Sequence, residues 1–357
     1  MTTFANVSLA LVSLGCAVSH SDLPSAPLEG YALIANFSVD DGTIEGGHRL
    51  SSGRILVRSR PNLLTVHDTT GKRVARIGRD GGGPGEFRQL SWAAPGGPDS
   101  IWTYDLMSRR LSVFSESGTL LASWRVEGTA FGNIEARLTD GSFVLIDPHM
   151  PMPVYGSGLR VESVSVGVLR LPDATVVTIS RRPWRSLYTS LTTRSLISQP
   201  LGPKGTIAEG DSTFWIAFGD RSLVTEMGRD GSPRRELQLP IVPAPVSERD
   251  RAWARSLAKS RSEFAGVQAL YEEVPLPANR PAMDQILRDG SRLWISLSRA
   301  ADTVDGLWLS RSLADGVVDT LRLAPGVSLL SASAPYIVVR AATQSGDEYL
   351  QVYRRKA

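Results

Sequence analysis

The stretch "ARIGRDGGGPGEFRQL", residues 75–90, decides the fold. Five glycines and a proline fall within residues 78–85, between a strand-like apolar run and an amphipathic one. A loop of this composition has two physical readings. It cradles phosphate when it opens a helix and carries a Lys-Ser or Lys-Thr pair. It is a backbone joint when strands flank it, because glycine accepts positive φ and close approach. Here Glu86-Phe87 follows, then more strand, so the loop reads as a joint.

On either side of the joint the chain repeats itself. "SSGRILVRSRPNLLTVHDTTGKRVARIG" (Ser51–Gly78) aligns with "PDSIWTYDLMSRRLSVFSESGTLLASWRV" (Pro98–Val126). Each line has a polar turn, a short apolar run, a loop, a second run, a Gly turn and a third run. Similar units open at turns near Asp140, Gly210, Asp289 and Ala334, making six with those near Ser52 and Asp99. A further extended run precedes every turn ("IEGGHRL", "QLSWAAP", "NIEARL", "GTIAEG", "MDQIL", "SLLSAS"). Four short strands per unit, here a to d, joined by Asp/Gly/Ser turns, predict an all-β six-bladed β-propeller of four-stranded antiparallel blades. The last unit stops at Arg354 after three strands. An open edge would invite pairing with other chains, so the spare strand Tyr31–Asp40 is expected to complete the sixth blade.

The joint residues Gly78, Gly81, Gly82, Gly83, Pro84, Gly85, Glu86 and Phe87 resemble the blade-joining signature of NHL-type and related six-bladed propellers. In those proteins a Gly-rich turn precedes a Phe packed between blades. "TEMGRDGSPRREL" (225–237), "QPLGPKGTIAEGD" (199–211) and "YEEVPLPANRPAMDQILRDGSRLWI" (271–295) resemble a group of exported bacterial six-bladed propellers. That resemblance implies fold and compartment, not chemistry.

Composition agrees with many short strands. The 357 residues are 42% hydrophobic and 21% charged, with 33 Gly and 22 Pro. The net charge of +3 is only mildly basic. The lysines are Lys72, Lys204, Lys259 and Lys356, so arginine supplies nearly all the positive charge. A nucleic-acid binder would show a concentrated stripe and a larger excess, which counts against the RNA binding of cytoplasmic NHL-type proteins. Cys16 is the only cysteine, so no internal disulfide forms. It ends an apolar run in "FANVSLALVSLGCAVSHSDLPSAP", which reads as a secretory leader over residues 1–25, too short to span a bilayer. "SLGC" resembles a lipoprotein cleavage box, with Ser13 where an aliphatic residue is usual and no Lys or Arg before the run. The expected layout is a leader, with Cys16 as a candidate lipidation site, then a propeller over 30–357 in an extracytoplasmic compartment.

In a propeller the b–c and d–a connections emerge on one face. The long segments here all fall in that class: Pro148–Glu162 (b–c), Arg181–Gly205 and Pro240–Met283 (both d–a). Function collects on loops held by a rigid frame, so this face is the candidate binding face. The insert at about 243–281, between blades 4 and 5, is expected to hold two helices near 248–259 and 262–273. Ser247 lies three residues before Asp250 as a capping box, and Trp253, Leu257, Val267, Leu270 and Tyr271 recur at near-helical spacing. This pair either lids the blade 4–5 junction, burying Trp253 and Tyr271, or binds a partner or caps the channel.

Catalytic constellations are sparse. The histidines are His20, His48, His67 and His149. His20 falls in the leader, and His67 aligns with Phe114 as a packed strand residue. A lyase of the amidating type needs three channel histidines for zinc, which this set cannot supply. Lactonase-like propellers use oxygen ligands around Ca²⁺ instead, and Glu45, Glu135, Glu209 and Asp284 on inner strands are the candidates. No GxSxG nucleophile elbow is present. The b–c loops place Arg58, Arg60, Asp105, Arg109, Asp147, Asp220, Arg221 and Arg299 in successive blades, with His48 and His149 nearby. A charged rim of this kind suits an anionic small molecule, glycan or peptide terminus. The leading expectation is therefore a non-catalytic exported propeller binding a protein partner or a small anionic ligand, with no cofactor. The alternative is a Ca²⁺-assisted hydrolase with its site at the central channel.

Overall fold

The computed structural model describes residues 28–39, 42–127, 132–147, 157–190, 195–260, 267–299, 305–343 and 345–356. Residues 1–27, which hold the expected leader with Cys16 and His20, and His149 lie outside the described residues. The chain is built of antiparallel sheets that follow one another along the sequence. Sheet 1 runs from Ile44–Arg49 to Arg73–Arg76, and sheet 2 from Leu90–Gly97 to Leu120–Arg125. Sheet 3 begins at Asn133–Arg137, sheet 4 at Gly205–Glu209, sheet 5 at Met283–Arg288 and sheet 6 at Val327–Ser333. Strand a is the first of each, and each touches strand a of the next sheet; that of sheet 6 touches that of sheet 1. This is a propeller-type fold.

The core lies between sheets rather than inside any one of them. A single sheet cannot cover both its faces, and here each face is covered by a neighbouring sheet. Leu56 and Leu64 of sheet 1 meet Ile101 and Phe114 of sheet 2, with Ile77 and Phe87 from the connecting segment between them. Similar clusters join sheets 2 and 3, 3 and 4, 4 and 5, and 5 and 6. A further cluster joins Ala35, Phe37, Val338 and Leu350 of sheet 6 to Ile44, Ile55 and Val57 of sheet 1. His67 is the packed residue its alignment with Phe114 suggested. It is 6% exposed, bonds Thr65 and the Gly71 carbonyl, and stacks on Phe37 at 5.2 Å.

Tyr31–Ser38 is the outer strand of sheet 6, antiparallel to Glu348–Arg355, with Tyr31 opposite Arg355 and Ser38 opposite Tyr349. Gln351 donates to Asn36 across the pair at 3.2 Å. The two ends of the described chain thus share one sheet.

The glycine stretch is the joint between sheets 1 and 2. Arg79–Asp80 pairs in parallel with Glu86–Phe87 around the loop, and Phe87 is 2% exposed between the sheets. Gly78 has φ +67, and a Cβ there would lie 2.4 Å from the Phe87 ring. The Gly83 amide donates to the Glu86 carboxylate at 2.8 Å, and Arg79 pairs with the same group. The loop's amide thus binds the chain's own carboxylate, which these bonds hold below its usual pKa.

Sheet 3 departs from the four-strand expectation. Gly158–Arg170 and Thr175–Ser190 form one long hairpin, and Ser195–Ser198 adds a fifth strand. The spans expected as loops, 148–162 and 181–205, therefore contain hairpin strand from Gly158 and up to Ser190. The period-two run Leu159-Arg160-Val161-Glu162 carries that signal. Pro183 hid it, but it sits beside a register shift where Ser163 faces Pro183 and Glu162 faces Arg185, as strand prolines do.

The insert between sheets 4 and 5 carries helix α1 (Glu248–Ser260) and helix α2 (Val267–Glu273). Residues 261–266 lie outside the described residues, so only the later part of the expected second helix is seen. The capping box forms as read: Ser247 N donates to Asp250 Oδ2 at 2.7 Å, and Asp250 N to Ser247 Oγ at 3.2 Å. Burial differs from expectation. Ala254 and Leu270 are buried, while Trp253 and Tyr271 are only half-buried. Ser247→Ala is expected to cost about 1 kcal/mol locally, seen as faster amide exchange along α1 with the sheets unchanged; equal exchange would refute the cap.

Candidate functional site

The candidate site is the face where the b–c and d–a connections emerge. Its geometry begins with irregular pairing in the a strands. In sheets 1, 2, 3 and 5 the a–b ladder slips by one residue near its start, at Glu45, Ser91, Glu135 and Asp284. A bulge turns its extra residue out of the ladder. Three of the four carboxylates proposed for Ca²⁺ are bulge residues, a feature that inner-strand placement alone does not reveal.

Three of the four carboxylates have surroundings that do not fit a cation. Glu45 accepts from Arg58 at 2.5 Å and is also paired with Arg60. Asp284 accepts from the Arg299 amide at 3.3 Å, and Lys204 and Arg299 lie close enough to favour its charged form, against a burial that pushes its pKa up. Glu209 is the last residue of its strand, beside Arg137 and Arg288 at the other end of the axis. Arginines beside three of the four would repel a divalent ion. Among the described residues no three His, Cys, Asp or Glu side chains converge.

Glu135 is different. No charged group near it offsets burial, which pushes its pKa up to about 7. His48 is half-exposed yet closely surrounded; burial, then the Arg58 charge, pushes it down to about 4, against a bond to the Ala93 backbone. The two act oppositely on stability. Folded Glu135 holds a proton that the unfolded chain releases near its ordinary pKa, so its contribution is lost as pH rises from that value towards 7. Folded His48 lacks a proton that the unfolded chain gains, so its contribution is lost as pH falls from about 6.5 towards 4. Between pH 5 and 6.5 the two slopes oppose each other, so Glu135→Gln is expected to make stability rise more steeply with pH there in denaturant titrations; a slope equal to that of the intact chain would exclude it.

The other proposed rim residues fall into separate local groups. Arg58 and Arg60 clamp Glu45. Arg299 bridges sheets 5 and 6, donating to the Val327 carbonyl and Ser328 Oγ at 3.3 Å. It lines a cleft of about 580 Å³ under the start of α1, with Arg249, Asp250 and Arg280. Asp220 and Arg221 are exposed, 3.8 Å apart, beside a cleft of about 270 Å³. Asp147 is buried at a strand end. Asp105 is 1% exposed, and its carboxylate accepts from the amides of Arg88, Gln89 and Ser108 and from the Ser108 hydroxyl. It ties the joint to the b–c turn of sheet 2 and is a staple rather than a rim charge.

What the face does assemble is its insertions. Gln199, after the fifth strand of sheet 3, donates to the Pro275 carbonyl at 2.8 Å, just past α2. Helix α2 packs on that strand and on α1. Val246 N donates to Ala278 O and Arg280 N to Ala244 O, closing the base of the insert. Glu162 and Arg185 pair across the hairpin, where Leu159 and Val161 stay exposed. Segments more than seventy residues apart thus form one platform.

No protein-family profile matches the chain, and no curated protein matches it. Solved structures do. A "Putative exported protein" from Bacteroides fragilis is 12% identical, with a TM-score of 0.50, over 92% of this chain and 96% of that one. A member of the DUF4221 family from Bacteroides vulgatus is 10% identical, with a TM-score of 0.54, over 91% and 97%. A streptogramin B lyase is more distant, at 11% identity and a TM-score of 0.43, over 90% and 96%. At such identities the likeness to the two Bacteroides proteins is one of fold alone. None of the described helices is long and apolar enough to cross a membrane.

Proposed function

We propose that this chain is an exported six-bladed propeller, of the NHL-like kind its joint resembles, that binds a protein partner through the insertion platform. Six sheets in sequence, a circuit of a-strand contacts and a core cluster joining sheets 6 and 1 support the blade count. Residues 1–25 hold the leader, whose cleavage directly before Cys16 would leave that cysteine as the lipid attachment point, with residues 30–357 outside the cytoplasm. The observation that carries the binding role is the packing of the sheet 3 extension against α2. A rigid frame that gathers two distant insertions on one face has the form of a recognition surface.

The test replaces residues 244–280 by a short Gly-Ser linker and compares cross-linked partners in the cell envelope with those of the intact chain. Loss of one discrete partner with the fold retained supports the reading; an unchanged set overturns it. Elemental analysis of the purified protein adds a second check. A stoichiometric divalent cation would favour the Ca²⁺-assisted hydrolase instead.

A further inference from the structure

We propose a separate oxyanion site on sheet 2, a cleft of about 480 Å³ lined by Arg88, Arg109, Arg110 and Arg125 with a single carboxylate, Glu127. The arrangement is costly without a ligand. Arg110 and Arg125 are register partners on adjacent strands, and like charges directly opposed in a sheet repel. On its other side Arg110 faces Asp105, whose oxygens are already taken by three amides and a hydroxyl. Arg110 donates only to Ser123 Oγ, at 3.3 Å, and its Nε is buried with no partner. Arg109 holds φ +48, an uncommon conformation for a residue with a side chain, while its carbonyl accepts from Val126 N. Arg88 lies over Gly82, where a Cβ would sit 2.6 Å from its Nε. The glycine there makes room for the guanidinium beside the cleft.

Several guanidinium forks converging on one cleft fit a compact oxyanion with two or more negative charges, able to accept from several directions. The ligand chemistry assigned is a phosphate-type group, either on a small soluble ester or on a lipid headgroup. The site lies outside the insertion platform, so either proposal can fail alone.

Calorimetric titration of the full mature chain with inorganic pyrophosphate at low ionic strength tests the chemistry. Saturable binding is expected, weakened at least about tenfold by Arg125→Gln and by Arg88→Gln, since a hydrogen bond to a charged group is worth about that much. Both residues are exposed, and the melting temperature without ligand should not fall; Arg125→Gln should raise it by relieving the repulsion. Flotation with vesicles containing phosphatidic acid, lost in the same variants, identifies a headgroup source; binding of pyrophosphate without flotation identifies a soluble one. Absence of saturable binding in both assays, or binding that ignores both substitutions, overturns the site.

Discussion

Removal of Tyr31–Ser38 is expected to abolish the cooperative fold. The deletion strips the outer edge from Glu348–Arg355 and uncovers the cluster between sheets 6 and 1, where Phe37 is 2% and Ala35 5% exposed. An unpaired, partly apolar edge then becomes a template for other chains. The graded version is Phe37→Ala, which loses the ring and its stack on His67. A loss of about 3–5 kcal/mol is expected, as for other buried aromatics. Denaturant titration with light scattering reads both effects. A truncated chain that melts like the intact one would mean the strand is an ornament.

Phe87→Ala is expected to cost about 3–5 kcal/mol as well. The ring fills the wedge between sheets 1 and 2, 5.9 Å from that of Phe114, and the backbone of Gly78 runs against it. Gly78→Ala meets the same ring from the other side while adding a Cβ at φ +67, so it should also be severe. Together the two separate a joint from a ligand loop. A phosphate cradle would tolerate loss of the Phe and would fail in binding; a joint fails in stability. Chemical denaturation of both variants decides, and a loss below about 1 kcal/mol in each would refute the packing account.

Much of this architecture is written locally. Turns announce themselves because Asp and Ser side chains satisfy the backbone there: Asp140 binds the Ser142 amide and Asp230 that of Ser232. The closing strand was legible from a deficit, three strands in the last unit and one spare at the start. Helix α1 was legible from Ser247 and Asp250. The long hairpin was only half legible, since Pro183 breaks a pattern that a register shift restores. The site residues were hardest. Asp105 and Arg109 sit four positions apart in one turn, yet one staples amides in the interior and the other lines a cleft. That division depends on register and sheet packing, which residue type does not report. The facing of Arg110 and Arg125 likewise exists only once two strands are aligned.

The sharing of one sheet by both ends sets a timetable. Asn36 must wait for Gln351, 315 positions later, so the ring cannot shut during synthesis. Until the last strand emerges, the growing molecule carries two raw borders and an uncovered wedge, a state prone to aggregation. The export proposed above would gain from that delay, because nothing would lock until the tail had followed the head through.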